Sequence, residues 1–248
     1  MSQAKTGVIE REPTGSLHER IIAELREKIV SGRWPPGHRV PFEMELARQY
    51  SCSRMTVNKA MSQLARSGLI ERRRKAGSFV ATPKSGAALL EIRDVRDEVE
   101  ALGHGEPYRF SVLARTVRQS TRDDMQALRL SARAPVLEID VLHAAGNLPF
   151  CREQRLINLA AVPAARSESF TEVAPGPWLV ARVPWTEAEH RIRAREADDE
   201  MATVLRVRPG NACLVIERRT WTSGVPVTHV IITYPAAMQE LTARFKPE

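Results

Sequence analysis

The chain of 248 residues has little cysteine and no long apolar segment, and both absences narrow its class. Its three cysteines, Cys52, Cys151 and Cys213, are widely spaced without a paired-ligand pattern, which is typical of a reducing compartment. No run of about 18 apolar residues occurs, and no charged segment followed by an apolar one begins the chain. We therefore expect a cytoplasmic protein with neither a membrane span nor an export signal.

The sequence also lacks the short motifs of common enzymes. It contains no nucleophile elbow, phosphate-binding loop or dinucleotide-binding fingerprint. His143, His190 and His229 lie on separate segments, so a metal site built from them with Glu153 or Cys213 has no spacing pattern to support it. We expect no catalytic residues, no metal and no cofactor, with an enzyme and a metal sensor as the rival classes.

Residues 16–80 instead follow the pattern of a winged helix-turn-helix. The first helix has an apolar face with a spacing of four residues, formed by Leu17, Ile21, Leu25 and Ile29. The segment Trp34-Pro35-Pro36-Gly37 cannot continue a helix, whereas Pro41 and Glu43 suit the first turn of a short second one. A third helix is predicted to begin after Ser53, which serves as its N-cap.

The third helix and the segment after it carry the candidate DNA contacts. Val57, Met61 and Leu64 form the buried stripe of this helix, and polar side chains occupy its N-terminal end, which enters the major groove in this motif. Gly68 ends the helix, and two short strands enclose a basic wing at 72–77. The predicted DNA-binding residues are Arg54, Met55, Thr56, Asn58, Lys59, Arg73, Arg74, Lys75 and Gly77.

Positive charge is concentrated in this module. Residues 1–85 contain 16 Lys and Arg against 8 Asp and Glu, whereas the rest of the chain contains 21 against 22. Local basicity favours binding to a polyphosphate through counterion release, so we expect double-stranded DNA as a partner. A merely solvated charged surface is the alternative for the basic run alone, and the adjoining helix-turn-helix makes it the weaker one.

The chain is long enough for two domains with separate cores. We expect a flexible arm at 1–15, a winged helix-turn-helix at 16–81, a linker at 82–88 and a second domain at 89–248. In the second domain, strands and helices are predicted at Phe110–Val117, after Thr121, and at Val136–His143, Leu148–Leu156, Asp198–Arg206, Ala212–Trp221 and Val225–Tyr234. Strand pairs joined by short turns predict an antiparallel α+β domain.

The first module resembles the DNA-binding domain of the GntR family of bacterial transcription regulators. The resemblance is carried by SGRWPPGHRVPFEMELARQYSCSRMTVNKAMSQLARSGLIERRRKAGSFVAT, which includes Arg54 and Thr56 of the recognition helix. The family usually has a serine before the second helix and a basic residue two positions later, where this chain has Phe42 and Met44. The resemblance implies a DNA-binding regulator whose second helix lacks those polar contacts.

The second half resembles the effector-binding (UTRA) domain of the HutC branch of that family, which shares the chorismate lyase fold. The resembling segments are EQRLIN from Glu153, PWTEAEHRIRA from Pro184, CLVIERRTW from Cys213 and VTHVIITYP from Val227. They look like the histidine-utilisation members of the branch, which implies a homodimeric repressor released from its operator by urocanate. Relatives that bind sugar phosphates have Arg-x-Arg where this chain reads Val141-Leu142-His143, which argues against that effector class.

Alternation along the strands selects candidate effector contacts. Positions two apart share a face, which groups Cys151, Glu153 and Arg155, then Glu217, Arg219 and Trp221, then Thr228 and Tyr234. An arginine suits the carboxylate of urocanate, and a glutamate or tyrosine suits its imidazole. The resemblance places Glu153 and Tyr234 at ligand-contacting positions, and the full candidate set is Glu153, Tyr234, His143, Arg155, Arg219 and Thr228.

Four alternatives remain. Glu153 and Arg155 pair on a solvated strand face if they have no ligand role. The regulator responds to another effector, such as a sugar phosphate or a metal, if the branch resemblance misleads, and a lyase-like enzyme is the remaining class. An activator, rather than a repressor, is the alternative mode of regulation.

Overall fold

The computed structural model describes residues 16–82, 94–103 and 105–241. The predicted arm at 1–15 and all but the first residue of the predicted linker lie outside these ranges. No helix within them is long and apolar enough to cross a membrane. No group of three or more His, Cys, Asp and Glu side chains in the same ranges is arranged to hold a metal ion.

The first domain comprises three helices and a small antiparallel sheet. Its elements in chain order are α1 (Leu17–Val30), β1 (Arg39–Val40), α2 (Glu43–Gln49), α3 (Arg54–Arg66), β2 (Ile70–Arg73) and β3 (Gly77–Val80). The three strands follow the order β1-β3-β2. The sequence predicted every element except β1, because a strand of two residues is too short to leave an alternating pattern.

Local capping and one shared core explain these helices. The Ser16 hydroxyl accepts from the Glu19 N–H at 3.3 Å, and the Ser53 hydroxyl accepts from the Thr56 N–H at 3.1 Å, as an N-cap requires. The predicted stripe of α3 is buried against the apolar face of α1. Leu17 is the exception, since it is the first residue of α1 and remains 37% exposed.

The second domain is built on one six-stranded antiparallel sheet, so the predicted α+β class is confirmed. Its strands are β4 (Tyr108–Gln119), β5 (Pro135–Ala145), β6 (Leu148–Asn158), β7 (Glu187–Glu196), β8 (Ala212–Thr222) and β9 (Val225–Pro235). They lie in the order β4-β5-β6-β9-β8-β7. The helices are α4 (Val95–Ala101), α5 (Arg122–Leu128), a 3-10 helix (Pro163–Arg166), α6 (Pro175–Arg182) and α7 (Asp199–Leu205).

Four elements of this domain were not predicted, one of which is the single turn of 3-10 helix at Pro163–Arg166. The helix α6 begins with Pro175-Gly176-Pro177, a composition that signals a turn unless its prolines fall in the first helical turn, as they do here. The strand β7 carries charge on alternate residues and little apolar surface, because it is an edge strand and largely exposed. The helix α4 has only seven residues and two buried ones, Val95 and Val99, which is too few for a periodic signal.

The two domains touch at the C-terminal ends of α1 and α3. Val30, the last residue of α1, packs in the same apolar cluster as Trp178, Leu179 and Val183 from the α6 region. Next to α3, the hydroxyl of Ser223 donates to the Ser67 carbonyl at 3.3 Å. The first domain therefore packs directly on the domain that contains the sheet.

Candidate DNA-binding surface and effector cavity

The N-terminal end of α3 and the wing form the candidate DNA-binding surface. The side chain of Arg54 is 68% exposed and Met55 is 67% exposed, whereas Thr56 and Asn58 are half-buried and Lys59 is exposed. These five predicted residues thus occupy the outer side of the helix, opposite its buried stripe.

The wing brings the remaining predicted residues to the tip of the β2-β3 hairpin. Arg73 ends β2, Arg74 and Lys75 lie in the turn, and Gly77 begins β3. The turn needs two residues with positive φ, Lys75 at 63° and Gly77 at 108°, and the second value favours glycine. The Arg73 guanidinium lies 4.7 Å from the centroid of the Phe79 ring, which holds it along the hairpin.

Glu43 connects α3 to the base of the wing. Its carboxylate accepts hydrogen bonds from Arg54 Nε at 3.1 Å, Asn58 Nδ2 at 2.8 Å and Arg72 Nη2 at 3.4 Å. One carboxylate at the start of α2 therefore holds two predicted DNA-binding side chains and one wing residue in place. The sequence placed Glu43 in the first turn of α2 but gave no sign of this bridging position.

Phe42 and Met44, the two departures from the family pattern, place apolar side chains on either side of Glu43 at the start of α2. Phe42 contributes no side-chain cap; its N–H donates to Glu45 Oε2 at 2.8 Å instead. The Arg39 guanidinium lies 4.4 Å from the centroid of the Phe42 ring, and Met44 is 52% exposed. Neither Phe42 nor Met44 offers a charged or hydroxyl group to a phosphate.

A cavity of about 320 Å³ lies between the sheet of the second domain and α6. This volume is at the lower end of the range for small-molecule sites, roughly 300–1,000 Å³. Its polar lining consists of Asp94, Asp97, His143, Glu153, Arg155, Arg218, Thr220 and Thr228. Four of the six predicted effector residues line it, namely His143, Glu153, Arg155 and Thr228.

Glu153 is the acidic group on the sheet side of the cavity and is 2% exposed. Its Oε1 accepts from Arg155 Nε at 2.7 Å, and its Oε2 lies 3.3 Å from His143 Nε2. Burial raises the pKa of Glu153, but the Arg155 guanidinium and His143 outweigh burial and hold this pKa well below its usual value. The Glu153–Arg155 pair therefore exists as an ionised pair, and it is buried in a cavity wall rather than on a solvated face.

Arg218 is the basic group that the sequence did not single out. It is 8% exposed, and its Nε has no hydrogen-bond partner among the residues that the structure describes. Arg218 on β8 and Arg155 on β6 both pair with Val230 on β9, so they lie in one row of the sheet, two strands apart. Burial, with the charge of Arg155, lowers the pKa of Arg218 to about 10. This guanidinium is therefore buried and charged at neutral pH, and its Nε–H is left unpaired within the described ranges.

Two predicted effector residues do not line the cavity. Tyr234 is on the cavity face of the sheet, but α4 covers it: its hydroxyl donates to Glu98 at 2.9 Å and its ring packs edge-on against Phe150. Arg219 points to the opposite face, where its Nε donates to the Ala127 carbonyl at 2.6 Å. Because β8 carries an arginine on each face, alternation alone gives no means of choosing between Arg218 and Arg219.

The candidate metal-sensing histidines do not gather. His143 lines the cavity with its Nδ1 2.8 Å from the Tyr108 hydroxyl, whereas His229 is on the other face of the sheet, 3.1 Å from Glu217. Burial lowers the pKa of His190 to about 4, so this side chain is neutral at physiological pH.

The helix α6 forms a wall of the cavity and also reaches the first domain. Gly176, Leu179 and Val183 line the cavity. A Cβ at Gly176 would lie 3.6 Å from Arg155 Nη2, so α6 approaches the polar row closely. Leu179 and Val183 belong to the same apolar cluster as Val30, so the cavity wall and the end of α1 share one core.

Comparisons with known proteins agree with this two-part organisation. The description "Bacterial regulatory proteins, gntR family" matches residues 17–80, and "UTRA domain" matches residues 103–239. The histidine utilization repressor of Pseudomonas putida is 34% identical, covering 94% of each chain. The Pseudomonas aeruginosa repressor of the same name is 35% identical over 94% of this chain and 93% of its own.

The second domain is also similar to a solved structure. The C-terminal domain of the histidine utilization repressor from Pseudomonas syringae pv. tomato is 26% identical with a TM-score of 0.53. The match covers 56% of this chain and 99% of that one. These relatives are named as repressors. The chain belongs to the HutC branch of the GntR family, the bacterial transcriptional repressors that join a winged helix-turn-helix to a UTRA effector domain.

Proposed function

We propose that this repressor controls genes of histidine utilisation and that urocanate is the effector that releases it from its operator. The observation that carries the proposal is the polar composition of the cavity, where the buried guanidinium of Arg218 shares a wall with the ionised Glu153 and with His143. The similarity to the histidine utilization repressors of two Pseudomonas species supports control of the same genes.

The chemistry of urocanate matches both kinds of group. Its carboxylate suits a guanidinium, which binds carboxylates through two charged hydrogen bonds, and Arg218 has a donor to spare. Its imidazole N–H suits the Glu153 carboxylate, while the Thr228 hydroxyl is already engaged, donating to the Leu156 carbonyl at 2.8 Å. A sugar phosphate suits the cavity less well, because its dianion meets an ionised Glu153 at 2% exposure.

The DNA-bound form in this proposal is a homodimer. One winged helix reads a half-site, and a dimer reads two half-sites whose spacing is set by its twofold axis. Arg54 and Thr56 read bases from α3, and the wing contacts the phosphate backbone. The operator is therefore expected to be palindrome-like.

Release follows from the position of α6. Urocanate binds more tightly to the domain arrangement in which α6 closes over the cavity, and the contact of Leu179 and Val183 with Val30 passes that preference to the DNA-binding domain. Only such a difference in affinity shifts the equilibrium between arrangements.

A thermal-shift screen on the full chain tests the effector. Urocanate at about 100 times its dissociation constant should stabilise the protein by about 2.7 kcal/mol. Histidine, imidazole propionate and glucosamine 6-phosphate are the competitors. Glu153→Gln should abolish the urocanate shift, whereas Glu217→Gln, which changes a carboxylate on the opposite sheet face, should retain it. A shift with glucosamine 6-phosphate and none with urocanate would contradict the proposal.

A further inference from the structure

Three large apolar side chains are exposed on the DNA-binding face of the first domain, namely Phe42, Met44 and Met55. Met55 is the most exposed large apolar side chain in the described ranges, at 67%. It is the residue after Arg54, and Met44 lines a surface depression together with the same arginine. A Cβ at Gly77 of the wing would lie 3.6 Å from the Phe42 ring. Apolar surface therefore lies next to Arg54 on a face that is otherwise basic.

The first turn of α3 holds Met55 in a fixed position. Ser53 caps this turn by accepting from the Thr56 N–H, and the hydroxyls of Ser53 and Thr56 lie 3.0 Å apart. Glu43 accepts from Arg54 Nε at 3.1 Å. The residues on both sides of Met55 are thus held by hydrogen bonds, whereas the methionine side chain points outward to solvent. The N-terminal residues of a recognition helix are those that contact base edges in the major groove.

The major groove of DNA offers one apolar group to such a side chain. Its base edges present hydrogen-bond donors and acceptors, except for the 5-methyl group of thymine. A methionine forms no strong hydrogen bond, but its flexible and polarizable thioether packs well on apolar groups. Arg74 and Lys75 of the neighbouring wing make the surface complementary to a polyanion. DNA thus fits the charge of this surface, and thymine fits its exposed methionine.

We propose that Met55 is a specificity-determining residue that packs on the 5-methyl group of a thymine in each operator half-site. Arg54 provides hydrogen bonds to a neighbouring base, and Met55 adds an apolar contact that distinguishes thymine from the other bases. Met44 has no such role, because α2 corresponds to the helix of the motif that crosses the DNA backbone. This inference rests on the operator binding of the proposed function and names one base that the operator contains.

Uracil tests the contact, because it differs from thymine only in lacking the 5-methyl group. Selection from random duplexes with the full-length wild-type protein provides the operator probe. Each thymine of a half-site is then replaced by uracil, together with its equivalent in the other half-site. At one such position the affinity should fall about 15-fold, since the transfer free energy of one buried methyl group corresponds to about fourfold and two half-sites contribute.

Two alanine variants assign the contact to a side chain. Met55→Ala should keep α3 intact, because the position is exposed and alanine is the best helix former. This variant should bind the thymine and uracil probes within about twofold of each other, which closes a double-mutant cycle. Met44→Ala is the matched control, since it truncates an exposed methionine of α2 and should keep the wild-type ratio between the two probes. Fluorescence anisotropy at one fixed salt concentration measures every protein on both probes.

Three results would overturn the inference. They are a wild type that loses no affinity at any thymine replaced by uracil, a loss that persists in Met55→Ala, and a loss that Met44→Ala removes as well. Each of these leaves the proposed function intact, because the wild type still binds its operator. A wild type that selects no sequence from the random duplexes overturns both the inference and the proposed function.

Discussion

Replacing Arg218 with methionine tests the charge of the cavity. Burial and the neighbouring Arg155 lower the pKa of Arg218 from its usual value to about 10, which corresponds to about 3 kcal/mol of unfavourable energy for the charged form. Since the folded-state pKa is the lower one, this charge opposes folding at all pH values below about 10. Methionine is of similar length and uncharged, so Arg218→Met should stabilise the ligand-free protein by about 1–3 kcal/mol.

The same substitution that raises the stability of the ligand-free protein should weaken its binding of urocanate. The ligand carboxylate compensates the buried guanidinium, and truncating one partner of a buried charged pair costs about 2–5 kcal/mol. The dissociation constant for urocanate should therefore rise roughly 30-fold or more. Urea denaturation measures the first effect and titration calorimetry the second.

A neighbouring arginine provides the control. Arg219→Met removes contacts to Ala127, Glu189 and Glu217 on the opposite sheet face. It should destabilise the protein and leave urocanate affinity within about twofold. The reasoning is refuted if Arg218→Met lowers stability while urocanate binds as before, because Arg218 would then be a structural arginine.

Three further predictions concern DNA binding, coupling and acid stability. Arg54→Ala should lose about 1–3 kcal/mol of operator affinity, whereas Arg74→Ala should weaken operator and random DNA alike, as gel shifts at two salt concentrations will show. Val30→Ala removes apolar contact from the cluster that includes α6, and should at least halve the effect of urocanate on operator affinity in the same assay. Without urocanate, the operator affinity of this variant should stay within a few-fold of the wild-type value. The hydrogen bond from Arg118 lowers the pKa of Asp124 from 3.8 to about 2, so the pair contributes about 2 kcal/mol above pH 3.8 that is lost as the pH falls to about 2. Asp124→Asn should remove that pH dependence from urea denaturation curves; an unchanged slope between pH 4 and 2 would assign it to other carboxylates.

Features encoded by short stretches of sequence were predicted well. The N-cap at Ser53 forms as expected, and the helix predicted after Thr121 begins there with a capping box between Thr121 and Asp124. The final hairpin turns at Ser223-Gly224, whose positive φ angles of 48° and 78° suit that turn. Local hydrogen bonds and backbone preference decide these features, so one sequence suffices.

Features that depend on tertiary packing were predicted only in part or not at all. Alternation shows that Arg218 and Arg219 face opposite sides of β8, but only the covering helices decide which side holds the cavity. Tyr234 is on the same face of the sheet as the cavity but does not line it, because α4 lies over the tyrosine and Glu98 accepts a hydrogen bond from its hydroxyl. These outcomes depend on elements distant in the chain.

The most direct test of the account is the reciprocal coupling between urocanate and operator DNA. Calorimetry measures urocanate binding with and without operator, and operator binding with and without urocanate. We predict that each ligand weakens the other by the same factor, roughly 5- to 150-fold, which corresponds to about 1–3 kcal/mol. If urocanate binds equally well to the protein and to its operator complex, the cavity does not control DNA binding and the account is wrong.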